Sequence, residues 1–188
     1  SRNKPNALAE RAIIRSGTGH KYWSKFSNEV KQQIEEYGKE IYPLLFKPNL
    51  STPIKTLDLP AAGQSYSGYS LSSVFELVNI ANDIRQGKNE KKIEDDMDGN
   101  ESIRFLKNTR KIVYRMTGTH PSSLGLHPAV YFYSPKGRFQ PGAFLAMALW
   151  LKEFEKRDYY SKFTTNRRQL EEFLLSHKSF VSQATINQ

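Results

Sequence analysis

The 188-residue chain contains no cysteine. That one absence removes a disulfide framework, a thiolate zinc site, an iron–sulfur cluster and a cysteine nucleophile together. No apolar run approaches the ~18 residues that span a bilayer, so no membrane partner is expected and the chain reads as soluble and cytoplasmic. A P-loop, a G-x-G-x-x-G turn and a G-x-S-x-G elbow are also missing, which excludes the common phosphate cradles and the hydrolase nucleophile turn. The four histidines, His20, His120, His127 and His177, have no partner at i+3 or i+4. A metal site from them would have to be assembled by folding alone. Neither metal nor cofactor is expected.

Negative charge is missing from one long stretch. The 51 residues 102–152 contain no Asp or Glu, yet hold Arg104, Lys107, Arg110, Lys111, Arg115, Lys136, Arg138 and Lys152. The chain has 28 basic and 19 acidic side chains for a net +9, and this segment supplies +8 of it. A positive face can simply keep a protein in solution; gathered into one segment it also fits a polyanion, which for a cytoplasmic protein points to nucleic acid. Paired carboxylates for metal-assisted phosphodiester cleavage are absent from the segment as well. Just before it, Glu94, Asp96, Asp98 and Gly99 match positions 1, 3, 5 and 6 of a calcium loop, but position 12 is Phe105, which cannot supply the bidentate carboxylate.

What is present reads as mainly α, a multi-helix globular domain with a small β-hairpin near 129–140. Residues 5–15 and 24–38 have amphipathic spacing, the second with Phe26, Val30, Ile34 and Tyr37 on one face. Prolines and glycines break 43–69 into an irregular connection, with a short extended piece at 54–59. Ser70 is placed to cap a helix carrying Leu71, Val74, Leu77, Val78, Ala81 and Ile84 and ending at Gly87. Asn100 is placed to cap the next, 101–117, whose apolar side holds Ile103, Leu106, Val113 and Met116. Its Arg104, Lys107, Lys111 and Arg115, at spacings of 3, 4 and 4, stack on one stripe. Such a stripe repels itself by a few tenths of a kcal/mol per pair, which phosphate contacts would offset.

Residues 118–141 interleave aromatic and basic side chains around two His-Pro pairs. As a hairpin over a Ser134–Gly137 turn, this stretch would put Tyr131 and Tyr133 on one face and Phe132 on the other, with Lys136 and Arg138 beside the turn; one helical turn starting at Pro128 is the alternative. Tyr131 or Tyr133 would then be placed to touch a base, against the general tendency of such rings to pack in a core. His127 beside Tyr131 and Arg138 is a candidate general base, against which stands a turn-capping role. Pro141 opens the most apolar helix, expected at the centre of the domain. A further helix from about Thr165 puts Arg167 and Arg168 in its first turn, where cations oppose the helix dipole, making them a second anion-site candidate. The tail from His177 either forms a short helix or frays.

The runs LGLHPAVYFYSPKGRFQPGAFLAMALWL, FTTNRRQLEEFLLSH and IKTLDLPAAGQSYSGYSLSSVFELVNIANDI resemble the portion downstream of the ParB-like nuclease domain in bacterial GmrSD-type restriction and phage-defence proteins, over 54–177. The resemblance implies a helical accessory or DNA-engaging part of a larger enzyme. The Asp-Gly-Gln-Gln-Arg type motif and the His-Asn-His nuclease signature of that family do not occur here, so no family catalytic residue carries over. Beginning at Ser1 and ending in polar sequence, residues 1–188 are expected to be one helical domain cut from a larger protein: helices over 1–42, the connection 43–69, and a helical core over 70–188.

The function expected is that of a non-catalytic nucleic-acid-binding module, for DNA before RNA, in a bacterial restriction or antiviral defence system. Arg104, Lys107, Lys111 and Arg115 would hold phosphates, with Lys136, Arg138, Arg167 and Arg168 as outer contacts. The first alternative is a protein-interaction or scaffold domain that binds other domains or subunits of the parent protein. The second is a nuclease with its site around His127.

Overall fold

A computed structural model describes residues 3–19, 23, 25–49, 59–84 and 93–186. These residues hold eight helices: α1 (Pro5–Ile14), α2 (Asn28–Phe46), α3 (Gly68–Ala81), α4 (Asn100–Thr117), α5 (Pro128–Tyr131), α6 (Pro141–Arg157), α7 (Tyr160–Ser176) and α8 (Lys178–Ile186). The mainly α expectation holds. Helix α4 is the hub, packed on α1, α2, α3 and α6, while α7 meets α5 and α8 at the periphery. One apolar cluster runs through the whole, with Ile13, Ile34, Leu77, Leu106, Phe132 and Phe144 among its fully buried members. His20, residues 54–58 of the expected extended piece and the helix end at Gly87 lie outside the described residues.

Several helix boundaries differ from those expected, each through a tertiary contact. Helix α2 does not stop at Gly38. A side chain there would collide with the Ala12 carbonyl, so the glycine is where α1 and α2 approach closely, and its permissive backbone is not used to end anything. Pro43 also lies inside α2. It and Lys39, whose carbonyl loses its donor, are both exposed, so water can take the missing bond. The α3 cap is Ser67, whose hydroxyl accepts the Ser70 amide at 3.1 Å; Ser70 itself is buried one turn on.

The start of α4 is built by a carboxylate the sequence pattern did not point to. Asp96 is buried and accepts the Gly99 amide (2.9 Å), the Ser102 amide (2.7 Å) and the Ser102 hydroxyl (2.7 Å), while Asp98 accepts the Asn100 amide. Asn100 is the first helical residue, not its cap, and Gly99 before it turns at φ +88°. The acidic cluster therefore serves the free amides and positive dipole end of α4. The expected apolar residues of α4, Ile103, Leu106, Val113 and Met116, are all buried, joined by Phe105 and Ile112.

The hairpin expected over 129–140 shrinks to one isolated antiparallel pair, Tyr133 and Phe139, held by the Ser134–Arg138 and Gln140–Phe132 backbone bonds, with a Gly137–Ser134 bond in the turn. The helical turn α5 at Pro128 takes its first residues. Pro128 opens α5 because its fixed φ and missing N–H suit a first helical position, which takes Tyr131 out of strand geometry. Helix α6 is not central either: Phe144, Met147, Ala148 and Leu151 are buried against α3 and α4, but Leu149 and Trp150 are exposed. Helix α7 begins at Tyr160, several residues earlier than expected, and α8 follows it with only His177 between.

Candidate nucleic-acid interface

An open groove of about 880 Å³ runs between α2 and α4. Its α2 side presents Tyr37, Glu40, Pro43 and Leu44; its α4 side presents Lys107, Asn108, Arg110, Lys111, Tyr114 and Arg115, with Ser122 at the end. Two ties hold the walls together. The Thr117 hydroxyl donates to the Leu44 carbonyl at 2.7 Å, and Arg110 pairs with Glu40 at 2.6 Å while lying 4.9 Å from the centre of the Tyr37 ring.

Three of the four stripe cations, Lys107, Lys111 and Arg115, share this groove. Lys107 is exposed and has no side-chain partner among the described residues. Lys111 pairs with Glu155 of α6 at 2.5 Å, with both side chains well exposed. Arg115 donates to the Ser122 carbonyl at 2.6 Å and lies 4.6 Å from the Tyr160 ring centre. Burial pushes the Tyr160 hydroxyl up, and the Arg115 charge opposes that shift. Exposed ion pairs of this kind are worth about 0–1 kcal/mol, so exchanging a carboxylate for a phosphate costs little.

Arg104 does not join the set. It sits one turn before Lys107 and is held in a two-point pair by Glu101, at 3.0 and 2.5 Å, which lowers the Glu101 carboxyl and raises the guanidinium. Arg110 takes its place on the groove wall. The sequence carried a signal for this, since Lys107, Arg110, Lys111, Tyr114 and Arg115 are all linked by steps of 3 or 4. Tyr114, 40% exposed, is the aromatic residue that pattern should have singled out.

The aromatic loop has a different character. Tyr131 is buried, 7% exposed, and donates to Glu171 at 2.8 Å; burial first, then that carboxylate, pushes its hydroxyl far up. Tyr133 is 6% exposed and donates to the Pro60 carbonyl at 2.7 Å, and burial pushes it up to about 12. Neither ring is open to a base, which corrects their assignment. Lys136 and Arg138 are exposed on the turn, have no side-chain partner among the described residues, and do not line the groove.

Arg167 and Arg168 are the eighth and ninth residues of α7, beyond the reach of its dipole, which withdraws the anion-site argument. Arg167 instead bridges Glu171 (2.8 Å) and the Leu124 carbonyl (2.5 Å), and Arg168 pairs with Glu172 (2.9 Å). His127 caps α5: its Nδ1 accepts the Ala129 amide at 3.2 Å. Burial lowers its pKa, the Lys178 charge lowers it further, and Glu171 opposes them. His127 and Tyr131 are thus each held in a structural bond, the capping role that stood against a general base. Among the described residues no group of three or more His, Asp or Glu side chains is gathered to hold a metal, and no helix is long and apolar enough to cross a membrane.

The basic segment is less bare in space than in sequence. Glu40, Glu101, Glu155 and Asp83 reach Arg110, Arg104, Lys111 and Lys152 from outside it. Lys152 is a structural residue, closing the end of α3 through the Ile80 and Ala81 carbonyls and Asp83. The chain matches no protein-family model, no curated protein and no solved structure.

Proposed function

We propose that this chain is a non-catalytic nucleic-acid-binding module, for DNA before RNA, acting within a larger bacterial restriction or phage-defence protein of the GmrSD type. The observation that carries the binding role is the groove, where Lys107, Arg110, Lys111 and Arg115 gather with two carboxylates among them, Glu40 on Arg110 and Glu155 on Lys111. Low local dielectric and shared walls concentrate the field of such a cleft. The defence setting rests on the resemblance over 54–177 alone.

The test is fluorescence anisotropy of labelled single- and double-stranded DNA and RNA over a range of salt. Three phosphate contacts on duplex DNA predict that log K falls against log salt with a slope near −2.7, from about 0.9 per phosphate. The variant Lys107→Ala/Lys111→Ala/Arg115→Ala should fold and lose the binding. A slope near zero for the parent refutes the proposal.

A second reading, a protein-interaction role, is favoured by Leu149, Trp150, Phe173, Leu175 and Phe180, exposed on α6, α7 and α8. It predicts a concentration-dependent oligomer in sedimentation velocity that ignores nucleic acid.

A further inference from the structure

We infer that the α2–α4 groove takes a single-stranded stretch of nucleic acid, with Tyr114 as the platform on which a base stacks. The inference rests on the nucleic-acid reading and specifies the form of the polymer.

A duplex fits the groove poorly. A helix that reads a duplex enters the major groove, about 12 Å wide, and with side chains is itself about 10–12 Å across. Such a helix must stand clear of its neighbours. Helix α4 is flanked by α1, α2, α3 and α6, so the side it leaves open is the one carrying Glu101, Arg104, Lys107, Lys111 and Tyr114. Its cations line a recess, not a ridge.

The chemistry of the recess favours unstacked bases. At about 880 Å³ and open to solvent, it has room for bases beside the cations. Duplex phosphates need cations alone, but here the cations border apolar and aromatic surface: Pro43, Leu44, Tyr37 and Tyr114. Unstacked bases need such surface, because every base offers a π-face to an aromatic ring.

Tyr114 is free to take a base. Unlike Tyr131 and Tyr133 it is exposed, and among the described residues its hydroxyl has no hydrogen-bond partner. Its ring lies 6.4 Å from the exposed His120 ring between centroids, and close to Gly118, where a Cβ would come within 3.1 Å of it. Along α4 it lies between Lys111 and Arg115, and the row Lys107, Lys111, Arg115 advances about 6 Å per step, from 1.5 Å per residue. A strand running along that row passes its bases over Tyr114 while its phosphates follow the cations.

The experiment is anisotropy titration of the full chain with labelled oligo-dT, oligo-rU, a duplex of the same length, and an abasic oligomer that keeps the phosphates and lacks bases. The single strands should bind more tightly than the duplex or the abasic chain. Tyr114→Ala should weaken oligo-dT by about 5- to 150-fold, the worth of one stacked base, and leave the salt slope and the abasic affinity unchanged. Tyr114→Trp should restore the loss, and both variants should melt as the parent does. The dT and rU arms identify the preferred sugar. Duplex bound as tightly as single strand, with Tyr114→Ala without effect, overturns this inference and leaves the nucleic-acid role standing. No salt-sensitive binding to any of the four overturns both.

Discussion

The loop 118–140 and the outer strip of α4 are both rich in aromatic and basic side chains, and they use them in opposite ways. In the loop the rings are turned inward and their polar ends are satisfied at a distance: Tyr133 on Pro60, Tyr131 on Glu171, His127 on its own helical turn. On α4, Tyr114 and Lys107 are exposed, and among the described residues neither the Tyr114 hydroxyl nor the Lys107 ammonium has a polar partner. Composition is shared between the two regions, and only the depth at which the backbone carries each residue separates them. A group buried with a satisfied hydrogen bond is a structural part; one left exposed beside like charges is available for a ligand. Substitutions should therefore divide the two regions cleanly, with loop variants moving stability and groove variants moving binding.

The largest effect is expected from Phe132→Ala. Phe132 is fully buried and meets Phe144 edge to face at 5.5 Å between centroids. Removing the ring should cost about 3–5 kcal/mol, from lost burial plus the cavity left behind. Urea denaturation should show the midpoint falling, while the salt slope of nucleic-acid binding, measured where the variant is still folded, stays at the parental value. A variant as stable as the parent that no longer bound nucleic acid would reverse the assignment of the loop.

That division shows where the linear text was a good guide. Apolar spacing placed α3, α4 and α6, because a helix that buries one face must repeat its apolar residues near every 3.6 positions. It failed where a distant contact overrode a local signal. Gly38 looks like a helix end and is a contact point for α1; Asn100 looks like a cap and yields to Asp96. The same limit affects charge. The acid-free run 102–152 suggested eight uncompensated cations, yet Arg104, Arg110, Lys111 and Lys152 find carboxylates on Glu101, on α2, on α6 and after α3. The groove itself was half legible: the stripe named three of its four cations, and missed Arg110 and Tyr114 because neither lies on the 104–107–111–115 row. Tyr131 and Tyr133 were misplaced because their partners are 40 and 73 residues away.

A smaller effect sharpens the loop side. The folded state holds the His127 pKa below its ordinary value of 6.5, chiefly through burial. Protonation is thus less favourable folded than unfolded. Stability should be undiminished above the unfolded value and should fall as pH drops through it toward the lower folded value. His127→Asn keeps an acceptor that can cap α5 and removes the titration. Thermal melts from about pH 7.5 to about 5 should show the parent losing more stability than this variant. Equal losses would mean that His127 titrates as it does unfolded and that its burial has no energetic consequence.

The smallest effect on stability, and the sharpest test of the contrast, is expected at Lys107. Among the described residues its ammonium has no hydrogen-bond or ion-pair partner and its side chain is exposed, so no bond or cap is lost in Lys107→Ala, and helix propensity even improves slightly. Surface changes of this kind stay within about 0.5 kcal/mol. The binding consequence is separable: one phosphate contact fewer on a single strand should make the salt slope shallower by about 0.7 and weaken every sequence alike. Lys136→Ala is the paired control, since Lys136 is equally exposed and unpaired but lies on the loop and outside the groove. If the groove is the interface, only the Lys107 variant shifts the slope. If both shift it equally, the positive charge acts as a diffuse field over the whole surface, and the distinction between loop and groove has no bearing on binding.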